Sequence, residues 1–237
     1  MNDYFPKSAF AIGAHPDDIE FNAGGTLSKW ASLGTKIFFG VLTDGSKGSW
    51  EQNIDQIDLI RLRKTEQLNS AKLFQVHEVL FLDAIDGELE ESRENVKEIC
   101  KWIREIKPEV VLTHDPWKRY RLHPDHRVAG WLVISAIVAA RDHLFYRDLN
   151  LAPFRPELLF LFEADEPDHF EDISQSIDIK ISALLEHKSQ HVSTMDIKAN
   201  NDLNSEIKKF SDWVKHIALE NSDRRYPCES FKKLSHL

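Results

Sequence analysis

The segment Ala14-His15-Pro16-Asp17-Asp18-Ile19-Glu20 sets one imidazole and three carboxylates almost side by side. Histidine and carboxylate are nitrogen and oxygen donors for a divalent ion, typically zinc. On an extended loop, neighbouring side chains point in different directions. If Pro16 starts a turn, His15 and Asp18, at i and i+3, return to one side. Asp17 then faces elsewhere and is available to a water molecule rather than to the ion. The plainer alternative is a polar loop whose acids cap the next helix, since short acidic motifs match by chance.

A second cluster, His123-Pro124-Asp125-His126, lies far along the chain. Pro124 suits the first position of a helix, with His123 at its cap. His123 and His126 are three apart and share a side. Asp125 between them can hold a histidine ring nitrogen or complete a ligand shell. The alternative is that Asp125 caps and the histidines lie on the surface. Both clusters follow predicted parallel strands at one edge of a sheet, the edge where open α/β sheets bind ligands. Meeting there, they form a much stronger signal than either alone. Three protein ligands leave zinc an open position for water, whose pKa the ion lowers from 15.7 to about 7. A carboxylate can take the water's proton, and a histidine can steady an oxyanion or protonate a leaving amine. That chemistry is amide hydrolysis.

The elements that must carry these clusters alternate through the first half. Strands are predicted at Ala9–Ala14, Lys36–Thr43, Glu78–Leu82 and Glu109–Thr113. Gly24-Gly25 reads as a turn that opens a helix to Leu33. Apolar residues Ile57, Ile60, Leu68, Ala71 and Leu73 predict a helix within Ile54–Phe74. Ser92 caps a helix to about Lys107, with Val96, Ile99, Ile103 and Ile106 on its buried face. Asp86-Gly87 marks a turn, and Val128–Ala140 sits on a helix. Such alternation predicts an α/β fold with a mainly parallel sheet covered by helices on both faces. The second half is less regular. It predicts a strand at Leu158–Phe162 and helices at Ile177–His187 and Leu203–Leu219, then a polar tail from Asn221 that includes Arg224-Arg225-Tyr226-Pro227.

The 237 residues are expected to form one domain over 1–237. A net charge of −9 argues against a nucleic-acid groove. Two cysteines, Cys100 and Cys228, make no disulfide framework, and Met1–Lys7 shows no signal-peptide pattern. A cytoplasmic protein without a membrane anchor is the expectation.

With Thr113-His114-Asp115-Pro116, the two clusters resemble the PIG-L/LmbE-like family of zinc-dependent N-acetylglucosamine de-N-acetylases. Supporting matches are Gly24-Gly25-Thr26, Leu42-Thr43-Asp44-Gly45, Arg63-x-x-Glu66 and His187-Lys188-Ser189-Gln190. They span about residues 8 to 190. The resemblance implies a Rossmann-like fold and removal of an acetyl group from an N-acetylated amino sugar or its conjugate. It implies one zinc ion per chain, held by His15, Asp18 and His126. Asp17 is then the general base and His123 the oxyanion stabiliser or acid, with Asp125 orienting it. The resemblance puts Arg63 on the substrate side. Some members use a tyrosine before the HPDH motif to polarise the substrate carbonyl, and Tyr120 is the candidate here. Arg119 and Arg121 are candidates for an anionic substrate group. A small-molecule amino-sugar conjugate is the expected partner, and a homo-oligomer stays open.

His114 and Asp115 end the fourth strand and are expected to support the site. The tryptophans read as core, except Trp50 and Trp117, which fall in loops after strands where they can stack on a pyranose ring. A magnesium phosphoester hydrolase, a hydrolase of another acyl amide and a binding module are the competing readings. Magnesium prefers an all-oxygen shell, and neither a P-loop nor G-x-G-x-x-G is present.

Overall fold

The computed structural model describes residues 5–198, 201–221 and 225–237. Met1 and Arg224, which entered the readings of the N-terminus and the polar tail, lie outside them. Five strands run parallel: β1 (Ser8–Gly13), β2 (Lys36–Thr43), β3 (Glu78–Ala84), β4 (Val110–His114) and β5 (Leu158–Phe162). Two more, β6 (His169–Asp172) and β7 (Cys228–Ser235), extend the sheet antiparallel, in the order β3-β2-β1-β4-β5-β7-β6. The helices are α1 (Asp18–Ser32), α2 (Gln56–Leu73), α3 (Arg93–Ile106), α4 (Pro124–Arg141), α5 (Ile177–Leu185) and α6 (Leu203–Glu220). The fold is thus α/β with a mostly parallel sheet, as the alternation predicts.

Successive residues of β1 face opposite sides of the sheet. Phe10 and Ile12 enter one layer with Ile99, Ile103, Leu132 and Ala136 of α3 and α4. Ala9 and Ala11 enter the other with Ile19, Leu27 and Trp30 of α1. Full burial of a side chain such as Phe10 contributes about 1.5–3 kcal/mol. A third cluster joins α5 to α6 through Ile177, Ile181, Phe210 and Val214.

Two expectations need correction. Within the polar tail, Cys228–Ser235 forms strand β7, which slots between β5 and β6. Cys228, Glu229 and Phe231 are buried while Lys233 is exposed, and the charged residues mask the strand in the sequence.

Gly24-Gly25 lies inside α1 rather than in a turn. A Cβ on Gly25 would meet Ile173 Cγ2 at 2.7 Å, so these glycines let the α5 segment approach the helix.

Helix α2 forms where the spacing predicts it and buries a largely polar face: Arg63, Glu66, Gln67 and Ser70 point inward, while Ile57, Leu68 and Leu73 are exposed. Apolar periodicity locates this helix, but its buried face is polar because its buried partners are polar loops rather than core.

Candidate active site

Parallel strands point their C-terminal ends to one edge, and the strand order turns at β1, which has β2 on one side and β4 on the other. A crevice opens at such a switch point. The first cluster leaves the end of β1 there, and the second follows β4 onto α4. His15, Asp18 and His126 meet in this crevice, more than a hundred residues of chain closing on one point. His15 Nδ1 lies 3.2 Å from Asp18 Oδ2 and 3.2 Å from His126 Nε2, and His126 Nε2 lies 3.3 Å from Asp18 Oδ1. Two ring nitrogens and a carboxylate thus form a compact, buried triangle able to hold a metal ion.

The turn that makes this possible runs through Asp17. Its φ of 98° is left-handed, a conformation that costs a non-glycine residue of order 1–3 kcal/mol. Asp18 begins α1, and its carboxylate turns back to accept the His15 N–H at 2.7 Å. Asp17 sits at the N-cap position yet makes no capping hydrogen bond with its side chain. Its N–H donates to Gln67 Oε1 at 3.1 Å, and its Oδ2 lies 3.4 Å from Arg63 Nη2. Burial pushes the Asp17 carboxyl up to about 6, with the charges of Arg63 and His187 opposing it.

Behind the triangle stands a ring of carboxylates. His15 Nε2 faces Asp125 Oδ2 at 3.1 Å and Asp86 Oδ1 at 3.2 Å. A histidine that ligates through one nitrogen characteristically spends the other on a carboxylate, and this leaves Nδ1 of His15 for an ion. Asp125 therefore serves His15. Its oxygens also accept N–H donors from Gly87 and Leu89. The expectation that Asp125 orients His123 is corrected: no hydrogen bond joins the two among the described residues. The nearest carboxylate to His123 Nε2 in an ion pair is Asp86, at 4.0 Å. Burial works against charge on His15, but its hydrogen bonds to Asp125, Asp18 and Asp86 raise its pKa well above the ordinary value. Burial lowers the pKa of both His123 and His126.

His114 spends Nδ1 on Glu163 at 3.0 Å, and its Nε2 lies 3.2 Å from both the Ala14 N–H and Asp18. These contacts tie the end of β4 to β1 and to Glu163. Glu163, at the end of β5, also pairs with Arg121 Nη1 at 2.8 Å and approaches His126 Nδ1 at 3.5 Å. Burial opposes its charge, yet the two histidines and Arg121 hold its pKa down at about 2. The Arg121 guanidinium also lies against His126 Nδ1.

Glu163 and Asp86 are residues that sequence reasoning missed. Both follow a parallel strand at the same edge, and that position was the available signal.

The remaining motif residues tie loops together. Arg63 is buried and donates to the carbonyls of Gly45 at 3.0 Å and Pro16 at 2.7 Å. Gly45 has φ +69°, and a Cβ there would meet Arg63 Nη1 at 2.6 Å. Glu66 does not pair with Arg63 on the surface; it is buried and accepts from Ser189 N and Oγ. Gln190 donates to Gly48 O at 2.8 Å. Glu20 lies away from the triangle, where it accepts from Gln67 and Ser70, both at 2.6 Å, and lies 3.4 Å from His187.

A cavity of about 700 Å³ opens over the triangle. Asp17, Asp86, His123, Arg121 and Arg63 reach it. Tyr120, the residue expected to contact a substrate carbonyl, is 93% exposed with φ +61° and does not line this cavity. Arg119 pairs with Asp165 outside the cavity. Trp50, 73% exposed, lies on the wall, whereas Trp117 packs edge-on against Trp131 elsewhere. Trp213, expected in the core, is 50% exposed and lines the cavity from α6.

Comparison with known proteins finds deacetylases among the relatives of this chain. The family model described as GlcNAc-PI de-N-acetylase, PIG-L, matches residues 10–137. A diacetylchitobiose deacetylase of Thermococcus kodakarensis is 37% identical over 187 residues, covering 78% of this chain and 70% of the relative. A probable N-acetyl-alpha-D-glucosaminyl L-malate deacetylase 2 of Bacillus subtilis is 28% identical, covering 78% of this chain and 83% of its own. Among solved structures, the N,N'-diacetylchitobiose deacetylase of Pyrococcus horikoshii superposes with a TM-score of 0.85 at 28% identity, over 97% of this chain and 84% of the other.

Proposed function

The chain belongs to the PIG-L family of de-N-acetylases, and from that membership we propose that it is a zinc-dependent hydrolase removing an acetyl group from an N-acetylated amino sugar or its conjugate. The observation that carries the reading is the triangle of His15 Nδ1, Asp18 and His126 Nε2 with Asp17 beside it. Zinc binds such donors at about 2.0–2.2 Å in a tetrahedron, whose edges are then about 3.3 Å. The observed separations of 3.2–3.3 Å fit that edge. Two imidazole nitrogens also favour zinc over magnesium, which prefers oxygen.

When bound, zinc supplies Lewis acidity and a water acidified to a pKa of about 7. The chain's own residues do the rest. Asp17 accepts the proton of the attacking water at its carboxylate, while Arg63 and Gln67 fix its position. His123 is partly exposed on the cavity wall, and its lowered pKa keeps it neutral. A neutral ring still donates one N–H to the oxyanion that forms as water adds to the acetyl carbonyl. The C–N bond then breaks, acetate is released, and the amine takes its proton from Asp17. Asp125 is a positioning residue that aims His15.

The reading includes one catalytic domain over 1–237 and places it in the cytoplasm. Cys100 and Cys228, both buried thiols, are in keeping with a reducing compartment. No helix among the described residues is long and apolar enough to cross a membrane. A homo-oligomer is compatible with it.

The test is acetate release from N-acetylglucosamine and its conjugates by the purified protein. Release that stops with a chelator and returns with zinc supports the reading; no release from any member of the panel ends it.

A further inference from the structure

Glu20 belongs to the first cluster by sequence, yet it takes no part in the triangle and the mechanism does not use it. It is fully buried, and so are Gln67, Ser70 and His187 around it. A carboxylate sealed from water is costly unless donors meet its oxygens. Gln67 Nε2 and Ser70 Oγ both donate to Glu20 Oε1 at 2.6 Å, and His187 Nε2 stands 3.4 Å from the same oxygen.

What Glu20 holds is the side chain that holds Asp17. The peptide unit between Pro16 and Asp17 is gripped at both ends by α2. Arg63 Nη2 donates to the Pro16 carbonyl at 2.7 Å, and Gln67 Oε1 accepts the Asp17 N–H at 3.1 Å. These two residues stand one turn apart on the buried face of the helix. Holding the plane of that peptide sets φ of Asp17, and a left-handed aspartate persists only where its surroundings over-determine it.

The grip has a weak point. A glutamine amide carries an acceptor at one end and donors at the other, in nearly the same shape. Turned over, Gln67 would present its NH2 to the Asp17 N–H, donor against donor, and the turn would lose its backbone support. Arg63 has no such ambiguity, since a guanidinium only donates. An ionised carboxylate only accepts, so Glu20 takes the NH2 end and leaves the oxygen for Asp17. The arrangement closes on itself, because Glu20 rides on the first turn of α1, the helix that Asp17 opens.

We propose that Glu20 is a positioning residue for the reaction and acts through Gln67: it turns the Gln67 amide so that its oxygen fixes the backbone from which the Asp17 carboxylate reaches the attacking water. The proposal rests on the deacetylase reading and gives the last acid of the first cluster its role.

Two single variants of the zinc-loaded full chain separate orientation from charge. Glu20→Gln loses the charge and keeps an acceptor oxygen at full reach. Glu20→Asp keeps the charge and retracts the acceptor by one C–C bond, about 1.5 Å. With N,N'-diacetylchitobiose as substrate, Glu20→Gln is expected to retain most of kcat. Glu20→Asp is expected to lose about 10–100-fold in kcat, the scale of a small misplacement at a reacting centre, with KM and zinc affinity close to the parent's. Gln67→Met is expected to lose about as much. Adding Glu20→Asp to Gln67→Met is expected to cost nothing further, because a residue acting through another has no effect once that other is gone. Amide hydrogen exchange at Asp17, followed by NMR, reads the same hold without substrate. It is expected to accelerate in Glu20→Asp and Gln67→Met and to stay slow in Glu20→Gln.

An impaired Glu20→Gln beside a normal Glu20→Asp would show that the charge matters and the amide orientation does not, and would overturn the proposal. A Glu20→Asp loss that persists in full beside Gln67→Met overturns it too, as does a loss of zinc affinity with Asp17 exchange unchanged. If Glu20→Asp fails to fold, the other two single variants decide: slow Asp17 exchange in Gln67→Met, or fast exchange in Glu20→Gln, overturns the proposal. No acetate release by the parent from N-acetylglucosamine or any conjugate, with the expected exchange pattern intact, overturns the deacetylase reading and leaves the hold of Glu20 on Asp17 standing.

Discussion

At the residue scale, neighbours of like chemistry are separated by where the backbone aims them. Asp17 and Asp18 are adjacent acids, yet the left-handed turn at Asp17 sends one to Arg63 and the other to the histidines. Asp17→Asn is therefore expected to bind zinc normally while kcat falls by about 10²–10⁴-fold, the usual worth of a general base. Metal analysis and acetate release on one sample check both halves. Asp17 works as its carboxylate, which burial makes available only above a pKa of about 6. Activity is thus present at neutral pH and is lost as pH falls through that value. A bound cation favours the carboxylate and moves the limb lower, so the acidic limb of kcat/KM is expected at or below pH 6, and a limb well above it would contradict the assignment. Asp125→Asn is expected to weaken zinc binding by about 10–100-fold because His15 loses its orienting partner. A competition titration with a chelating dye measures that loss. The two clusters, their ligand types and the cap at His123 were legible in the sequence. Asp86 and Glu163 were not, because isolated acids near strand ends carry no local pattern, and only the assembled sheet brings them behind the histidines.

At the scale of elements, α1 is the piece that must not move, because Asp18 sits in its first turn. It is pinned from outside. Gly25 and Thr26 N–H groups donate to Glu229 of β7, Lys180 of α5 bridges Glu229 and the Phe21 carbonyl, and Ser176 donates to the Gly25 carbonyl. Lys180 and Glu229 are both buried. Lys180→Met leaves the Glu229 charge without its cation, and losing one partner of a buried pair costs about 3–5 kcal/mol. Chemical denaturation is expected to show that loss. A midpoint like the parent's would mean the pair does not hold the helix. This bracing explains why the helices and the parallel strands could be read from hydrophobic pattern while β7 and the polar buried face of α2 could not. Their buried sides are polar by necessity: α2 offers Arg63, Glu66 and Gln67 to loops of the site, and β7 offers Glu229 to α1. Periodicity detects apolar burial, so faces buried through hydrogen bonds escape it.

On the whole-molecule scale, the sheet is a frame that collects loop ends from β1, β3, β4 and β5 at one edge, and α6 walls the resulting cavity with Trp213. The residues that close the cavity come from the C-terminal half, where the sequence showed least. An ion joining segments as distant as His15 and His126 binds only the folded chain. Zinc is therefore expected to raise Tm and a chelator to lower it, by an amount that grows with ion concentration. The central claim is that one ion is held by His15, Asp18 and His126. A crystal structure of the zinc-loaded protein with anomalous scattering tests it most directly. The account predicts a single zinc peak at about 2.0–2.2 Å from His15 Nδ1, an Asp18 oxygen and His126 Nε2. A peak centred instead among Asp86, His123 and Asp125, or no peak in the crevice at saturating zinc, would contradict it.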